Sequence, residues 1–508
     1  MARNSGNGAR LNGPQNVNSY IKSICDIMRR SNCAGALQYV PELTWMLFLR
    51  ILDEREQEEA RNAAAVSAPF TPSLESPYRW RDWAARSGPK RLELQGSTLG
   101  EFMKFIDLDL LPNLRSLKDR PGATPRQKVV SAVFSSVSRT RIDTERNLLD
   151  IIDRLDGLQP DSVDDTHVFT LSQVYEGLLL KMGEKNNDGG QFFTPREIIR
   201  AMIRAVDPQV GETVYDPCCG TGGFLAQAYE YMRPQADAAG PGAIQDLGER
   251  TFYGREKDDI AYPIALANLV LHGIDQPRIW HGNTLSQQEV YGGLFEGAPA
   301  TFDLILTNPP FGGKEGKEAQ TRFPYKTRST QVLFLQEVMD RLKDGGRCGI
   351  VVDEGFLFRT NENAFAQTKR KLLDEFNVWC IVSLPAGAFI NAGAASKTNL
   401  LFFTKGSPTE SVWYYDLSDI KVTKRQPFTL DRFDDFFRLL PGREDSERSW
   451  TVPAADLKAK NYDLKAVNPN AKIVEDTRTP EELLAIIEEK GREISEALAA
   501  LRKAAPHP

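Results

Sequence analysis

From position 212 onward, short apolar runs alternate with helix-length windows, a rhythm that few architectures accommodate. The runs fall at 213–215, 251–253, 278–280, 302–306, 348–352, 379–383 and 399–404, giving seven candidate strands. Windows at 223–232, 258–271 and 330–342 separate several of them. Strand and helix taking turns predicts a mostly parallel α/β sheet with helices on both faces. The last two runs are joined by a shorter segment rich in Gly and Ala, so they are expected to close the sheet as a hairpin with an antiparallel final strand.

At roughly 100 to 200 residues per domain, 508 residues leave room for more than this sheet. Residues 1–16 are rich in Gly, Asn and Arg with no apolar stretch, and are expected to be a flexible leader. From 17 to 165 the spacing is helical, as in Ile21, Ile24, Cys25 and Met28, then Trp45, Phe48, Leu49 and Leu52. Four prolines in 69–89 predict a long connection before the period resumes at Leu99, Phe102 and Phe105. The sheet domain is expected over 166–416 and an irregular extension over 417–478. Thr479-Pro480-Glu481-Glu482 then reads as a capped helix start. Apolar residues at Leu483, Ile487, Ile494, Leu498 and Leu501 give 479–508 a seam for docking on a partner.

The 69 acidic residues outnumber the 63 basic ones, a net charge of -6, which by itself argues against a chain that grips DNA alone. Six cysteines at 25, 33, 218, 219, 348 and 380 form no metal-ligand spacing, so no metal is expected and a reduced, cytoplasmic setting is. No apolar run reaches the roughly 18 residues of a membrane span.

Three strand ends carry chemistry. After the first, Asp216-Pro217-Cys218-Cys219-Gly220-Thr221-Gly222-Gly223-Phe224 puts a Gly-rich turn before a helix, at the edge where doubly wound sheets bind ligands. Lacking the Lys-Ser/Thr ending of a phosphate loop, and with an acid at 216, it suits a cationic or zwitterionic ligand. The second run leads to Glu256, placed to accept from ribose hydroxyls, and the third to Asn283-Thr284, where Asn283 can meet an adenine. Histidines 272 and 281 are expected to be structural.

The run at 302–306 enters Asn308-Pro309-Pro310-Phe311. Two prolines fix φ and remove donors, holding the Pro309 carbonyl beside the Asn308 side-chain oxygen. Two acceptors aimed at one point suit a planar amino group, and Phe311 offers a face to its ring, worth about 1 to 3 kcal/mol in stacking.

In this order, the 216–224 loop, Glu256 and the Asn308–Phe311 tetrapeptide resemble the N6-adenine DNA methyltransferases. The segment Gly190-Gln191-Phe192-Phe193-Thr194-Pro195-Arg196-Glu197 resembles that of the modification subunit of type I restriction-modification systems, and Leu384-Pro385-Ala386-Gly387-Ala388-Phe389 and Asn461-Tyr462-Asp463-Leu464 agree. The resemblance implies a Rossmann-like seven-stranded S-adenosylmethionine-dependent methyltransferase sheet behind an all-helical N-terminal domain. It implies a cofactor site at Phe193, Thr194, Pro195, Asp216, Pro217, Gly220, Thr221, Gly222, Gly223, Phe224, Glu256, Asn283 and Thr284, and target-adenine contacts from Asn308, Pro309, Pro310 and Phe311. Many relatives carry Asp where this chain has Asn283. Implied partners are DNA, a specificity subunit shared by two copies of this chain, and a restriction endonuclease subunit. The same clamp suits an RNA adenine or a glutamine amide, and a cofactor-binding scaffold without turnover is the rival of another class. The lysines and arginines at 314, 317, 322, 326 and 328 are candidates for the DNA backbone.

Overall fold

The computed structural model describes residues 14–31, 33, 36–157, 194–389, 397–423, 426–470 and 479–504. Its centre is one sheet of ten strands: β1 (Val214–Asp216), β2 (Phe252–Glu256), β3 (Arg278–Asn283), β4 (Gln288–Tyr291), β5 (Phe302–Thr307), β6 (Leu342–Asp353), β7 (Phe376–Ser383), β8 (Thr398–Lys405), β9 (Ser411–Asp416) and β10 (Ser449–Pro453). The spatial order is β10-β9-β7-β8-β6-β5-β1-β2-β3-β4. Strands β6, β5, β1, β2 and β3 run parallel, and β8 lies antiparallel between β6 and β7, so the expected closing hairpin forms with its last strand inserted.

The expected count of seven strands is corrected to ten. All seven runs are present, β4 and β10 are added as the two edges, and β9 is added between β10 and β7. Edge strand β4 is largely exposed, so no apolar alternation announced it. β10 lies within 417–478, where no periodic run is visible, and pairs antiparallel with β9. Phe428, Phe433 and Phe436 of the same stretch pack edge to face as a buried cluster.

From Leu304 to Leu306 successive residues of β5 serve opposite faces, and an irregularity between Phe302 and Leu304 shifts Phe302 to the face of Ile305. Leu304 and Leu306 join one core with the helices Arg196–Val206, Gly223–Ala239 and Ala261–Leu271, while Phe302 and Ile305 join a second with Thr330–Arg341 and Asn363–Glu375. The order reverses between β1 and β5, which opens a crevice at their C-terminal ends.

Upstream, the helices include Ala36–Ala65, Pro125–Val133 and Glu145–Asp156. The proline-rich 69–89 stretch is not a bare connection, since it folds a short helix, Trp80–Trp83, whose two indoles are buried. Arg55 donates to the Val270 carbonyl, and both Arg55 and Arg126 pair with Asp275, which fastens the helical part beside Ala261–Leu271. Residues 468–508 form a separate unit holding the helix Pro480–Ala504. Its start is the expected capping box: Thr479 N–H donates to Glu482 and Glu482 N–H to Thr479 Oγ1. Among the described residues no helix is long and apolar enough to cross a membrane.

Candidate active site

β1 delivers Asp216 into the crevice almost fully buried. Asp216 Oδ1 accepts from Thr307 Oγ1 of β5 at 2.7 Å and from Cys218 N–H at 3.1 Å. Burial outweighs these bonds and pushes its pKa up to about 7. Gly220 and Gly222 turn the chain with φ of 55° and 78°. A Cβ on Gly222 would also press on Leu269 at 3.3 Å, so its left-handed turn requires glycine, while one on Gly223 would displace the Arg196 guanidinium. Asn268, fully buried, donates to the Thr221 carbonyl at 2.9 Å and pins the turn from behind.

Glu256 closes the loop from β2. Its Oε2 accepts from Gly220 N–H at 2.8 Å, and its Oε1 from the N–H groups of Lys257 and Asp258. Burial again dominates and raises its pKa to about 7. From β3, Thr284 Oγ1 donates to the Pro217 carbonyl at 2.7 Å, bracing the loop. Asn283 Oδ1 accepts from the N–H groups of Leu285 at 2.9 Å and Ser286 at 3.2 Å.

Asn308 follows β5 at the mouth of the crevice. Its Nδ2 donates to Thr194 Oγ1 at 2.9 Å, while its Oδ1 is buried without a hydrogen-bond partner. Pro309 is buried and Phe311 is half-buried, its ring edge-on to buried Phe389 at 6.3 Å. Pro195 precedes the helix Arg196–Val206, and Phe193 lies outside the described residues.

Two neighbouring hollows share Cys218, Gly220 and Asn308. The narrower is lined by Thr194, Arg196, Asp216, Thr221, Gly223 and Phe224. The wider, of about 290 Å³, is lined by Pro217, Glu256, Asn283, Thr284, Pro310 and Phe311, with Lys314 and Glu315 at its rim. The described residues expected at the site therefore converge, apart from Pro195, Gly222 and Pro309, each of which neighbours a lining residue in the chain. Burial pushes the Cys218 and Cys219 thiols up, which keeps them protonated. Both histidines are structural: His272 Nδ1 pairs with the Asn268 carbonyl and His281 stacks on Tyr262 at 4.2 Å.

Three residues were missed by sequence reasoning. Arg196 lines the narrow hollow, and its position directly after Thr194-Pro195 was the available signal. Phe389 buttresses Phe311, and only its place in the 384–389 motif hinted at this. Arg322, expected among the backbone-contacting cations, instead points inward, donating to the carbonyls of Thr284 and Leu285 and to Glu337.

Comparison with known proteins gives the family. The N-6 DNA Methylase family model matches residues 166–477, and the HsdM N-terminal domain model matches 17–155. The methylase subunit of the type I restriction enzyme EcoEI from Escherichia coli is 34% identical, over 96% of this chain and 97% of its own length. That of StySPI from Salmonella potsdam is 32% identical, over 81% of this chain and 74% of its own. A modification subunit of a type I restriction enzyme from Vibrio vulnificus YJ016 superposes with a TM-score of 0.78 at 33% identity, covering 92% of this chain and 99% of that one. A chain from a type I R-M system, solved in a study of complex assembly and conformational transition, gives 0.74 at 38% identity over 98% and 100%. By family, relatives and fold, the chain belongs to the N-6 DNA methylases, as a type I restriction-modification methylase subunit and adenine-specific DNA methyltransferase.

Proposed function

We propose that the chain transfers a methyl group from S-adenosylmethionine to N6 of an adenine flipped out of DNA. The observation that carries this reading is Asn308 Oδ1, a buried carbonyl oxygen with no partner, held by Thr194 at the crevice mouth. An orphaned acceptor of this kind costs about 1 to 3 kcal/mol and calls for a ligand donor. The residues also fit the cofactor. Gly220, Gly222 and Gly223 leave space where side chains would collide or strain, and Asp216 offers a carboxylate to a cation. Glu256 uses three of its roughly four lone-pair sites on backbone donors, which leaves about one for a ribose hydroxyl. Asn283 and Thr284 shape the adenosine side, with Thr194 and Pro195 near the other end.

When bound, S-adenosylmethionine supplies an electrophilic sulfonium methyl. Asn308 Oδ1 and the Pro309 carbonyl would accept hydrogen bonds from the two N6–H groups, which raises electron density on nitrogen as its bond to the methyl forms and the methyl–sulfur bond breaks, with the surplus N6 proton released to solvent; this is preorganised electrostatic stabilisation. Flipping costs a few kcal/mol, offset in part by stacking on Phe311, which Phe389 supports from its edge.

In this reading 17–165 is a helical domain, 166–416 the catalytic domain, 417–478 its extension and 479–508 the docking helix. The chain works in the cytoplasm with DNA and a specificity subunit, two copies to a complex, and a restriction endonuclease subunit can join. Its six cysteines are free thiols, in keeping with that compartment. Lys314, Lys317, Lys326 and Arg328, exposed just beyond the clamp, are left to meet phosphates. The test is methyl transfer to DNA by the chain with and without a specificity subunit. Strong transfer and a steep salt dependence are expected only with the partner, and efficient site-specific transfer by the chain alone would refute the division of labour.

A further inference from the structure

Between the clamp and the helix Thr330–Arg341 the chain makes an excursion, residues 312–329, closed at its base by Thr330 N–H donating to the Gly313 carbonyl and Glu315 N–H to the Arg328 carbonyl. Thr330 Oγ1 also donates to Glu315. The excursion has a small core of its own, in which Ala319 and Phe323 pack with Leu285, Leu333 and Phe334, with Cys218 of the cofactor loop against them. That cluster is separate from both cores of the sheet.

Arg322 ends the short helix Lys317–Arg322 and ties this excursion across the crevice. Its Nη1 donates to the Thr284 carbonyl at 2.7 Å and the Leu285 carbonyl at 2.8 Å, and its Nη2 to Glu337. Glu337 is buried and also accepts from Arg341 Nε at 2.9 Å. Thr284 in turn donates to the Pro217 carbonyl, so an unbroken chain of bonds runs from Glu337 through Arg322 and Thr284 to the cofactor loop. Thr284 and Leu285 line one wall of the wide hollow, and Phe311, Gly313 and Glu315 line the other.

We propose that Arg322 is a positioning residue for cofactor binding: through the Thr284 and Leu285 carbonyls it sets the spacing between the adenosine wall and the segment that follows the base clamp. This rests on the cofactor reading above. Arg322 itself touches no reacting atom, so its loss should appear in cofactor affinity and KM and leave kcat nearly unchanged. Three charge-assisted bonds disappear in Arg322→Gln, two to the carbonyls and one to Glu337, while Arg341 keeps Glu337 paired, so no buried carboxylate is stranded.

The experiment is calorimetric titration of the full-length chain with S-adenosylhomocysteine, followed by transfer kinetics of the assembled complex. Arg322→Gln should weaken binding about tenfold and raise the cofactor KM by a similar factor, with kcat within about threefold. Arg322→Lys, which can reach one carbonyl, should recover part of the loss. Arg341→Gln, which removes the other partner of Glu337 and leaves the carbonyl tie, should bind as the unaltered chain does. Unchanged affinity in Arg322→Gln and Arg322→Lys, or an equal loss in Arg341→Gln, would overturn the assignment of Arg322 alone. Absence of binding by the unaltered chain would overturn the cofactor reading and this proposal together.

Discussion

Strands β3 and β5 each deliver an asparagine to the same edge of the sheet, and the two amides have opposite fates. Asn283 spends its side-chain oxygen on the backbone N–H groups of Leu285 and Ser286, folding its own loop. Asn308 anchors only its nitrogen, on Thr194, and leaves its oxygen buried and unpaired. The same residue type thus shapes a wall in one place and holds an acceptor in reserve in the other. Other buried atoms lack a partner too, Asn268 Oδ1 among them, but Asn308 lines both hollows, where a ligand can bring the missing donor.

The largest effect should come from removing the reserve. Asn308→Ala is expected to lower kcat by about 100- to 1,000-fold, the range for losing one preorganised hydrogen-bonding group. Its thermal midpoint should stay level or rise, since an unpaired buried oxygen is gone. Wild-type turnover in this variant would erase the distinction between the two amides.

Stacking comes next. Phe311→Ala should weaken productive DNA binding by about 5- to 150-fold, the equivalent of 1 to 3 kcal/mol, and Phe311→Trp should retain most of it. Equal behaviour of the two variants in a DNA titration would mean that no base rests on this ring.

A third effect sits between the amides, at Asp216. Its pKa of about 7 means that the ionised fraction rises from roughly a tenth at pH 6 to nine tenths at pH 8. A cationic cofactor favours the ionised form, so affinity should increase about tenfold over that interval with proton release, and Asp216→Asn should bind more weakly with a flattened profile. The sign for folding is opposite. Between the ordinary carboxyl range near 4 and about 7, the folded chain keeps protons on Asp216 and Glu256 that the unfolded chain has lost, so stability of the unliganded chain falls as pH rises. Unfolding midpoints that climb through this window would contradict the burial of both groups.

The smallest effect belongs to the other asparagine. Asn283→Ala should cost about 1 kcal/mol of stability and loosen cofactor binding severalfold, with kcat little changed. A collapse of kcat as large as that of Asn308→Ala would show that the two amides share one role.

Much of this was legible because strand ends in a doubly wound sheet fall where the chain changes character. Asp216, Glu256, Asn283 and Asn308 each stand at or just beyond an apolar run, and all four reach the crevice. What escaped depends on partners distant in the chain. Nothing near Phe311 announces Phe389, and the inward turn of Arg322 is set by carbonyls almost forty residues earlier and by Glu337. Edge strands escaped for a different reason: β4 is mostly exposed and β10 contains a proline, so neither carries the apolar run that marks a buried strand.

The most direct test of the central claim is nucleoside mass spectrometry of DNA incubated with S-adenosylmethionine and the chain assembled with a specificity subunit, comparing the unaltered chain with Asn308→Ala. The predicted result is N6-methyladenine with the unaltered chain and a loss of about 100-fold or more with the variant, whose cofactor affinity stays within about threefold. Methyl groups on another base or on protein, or equal N6-methyladenine from both chains, would contradict the account.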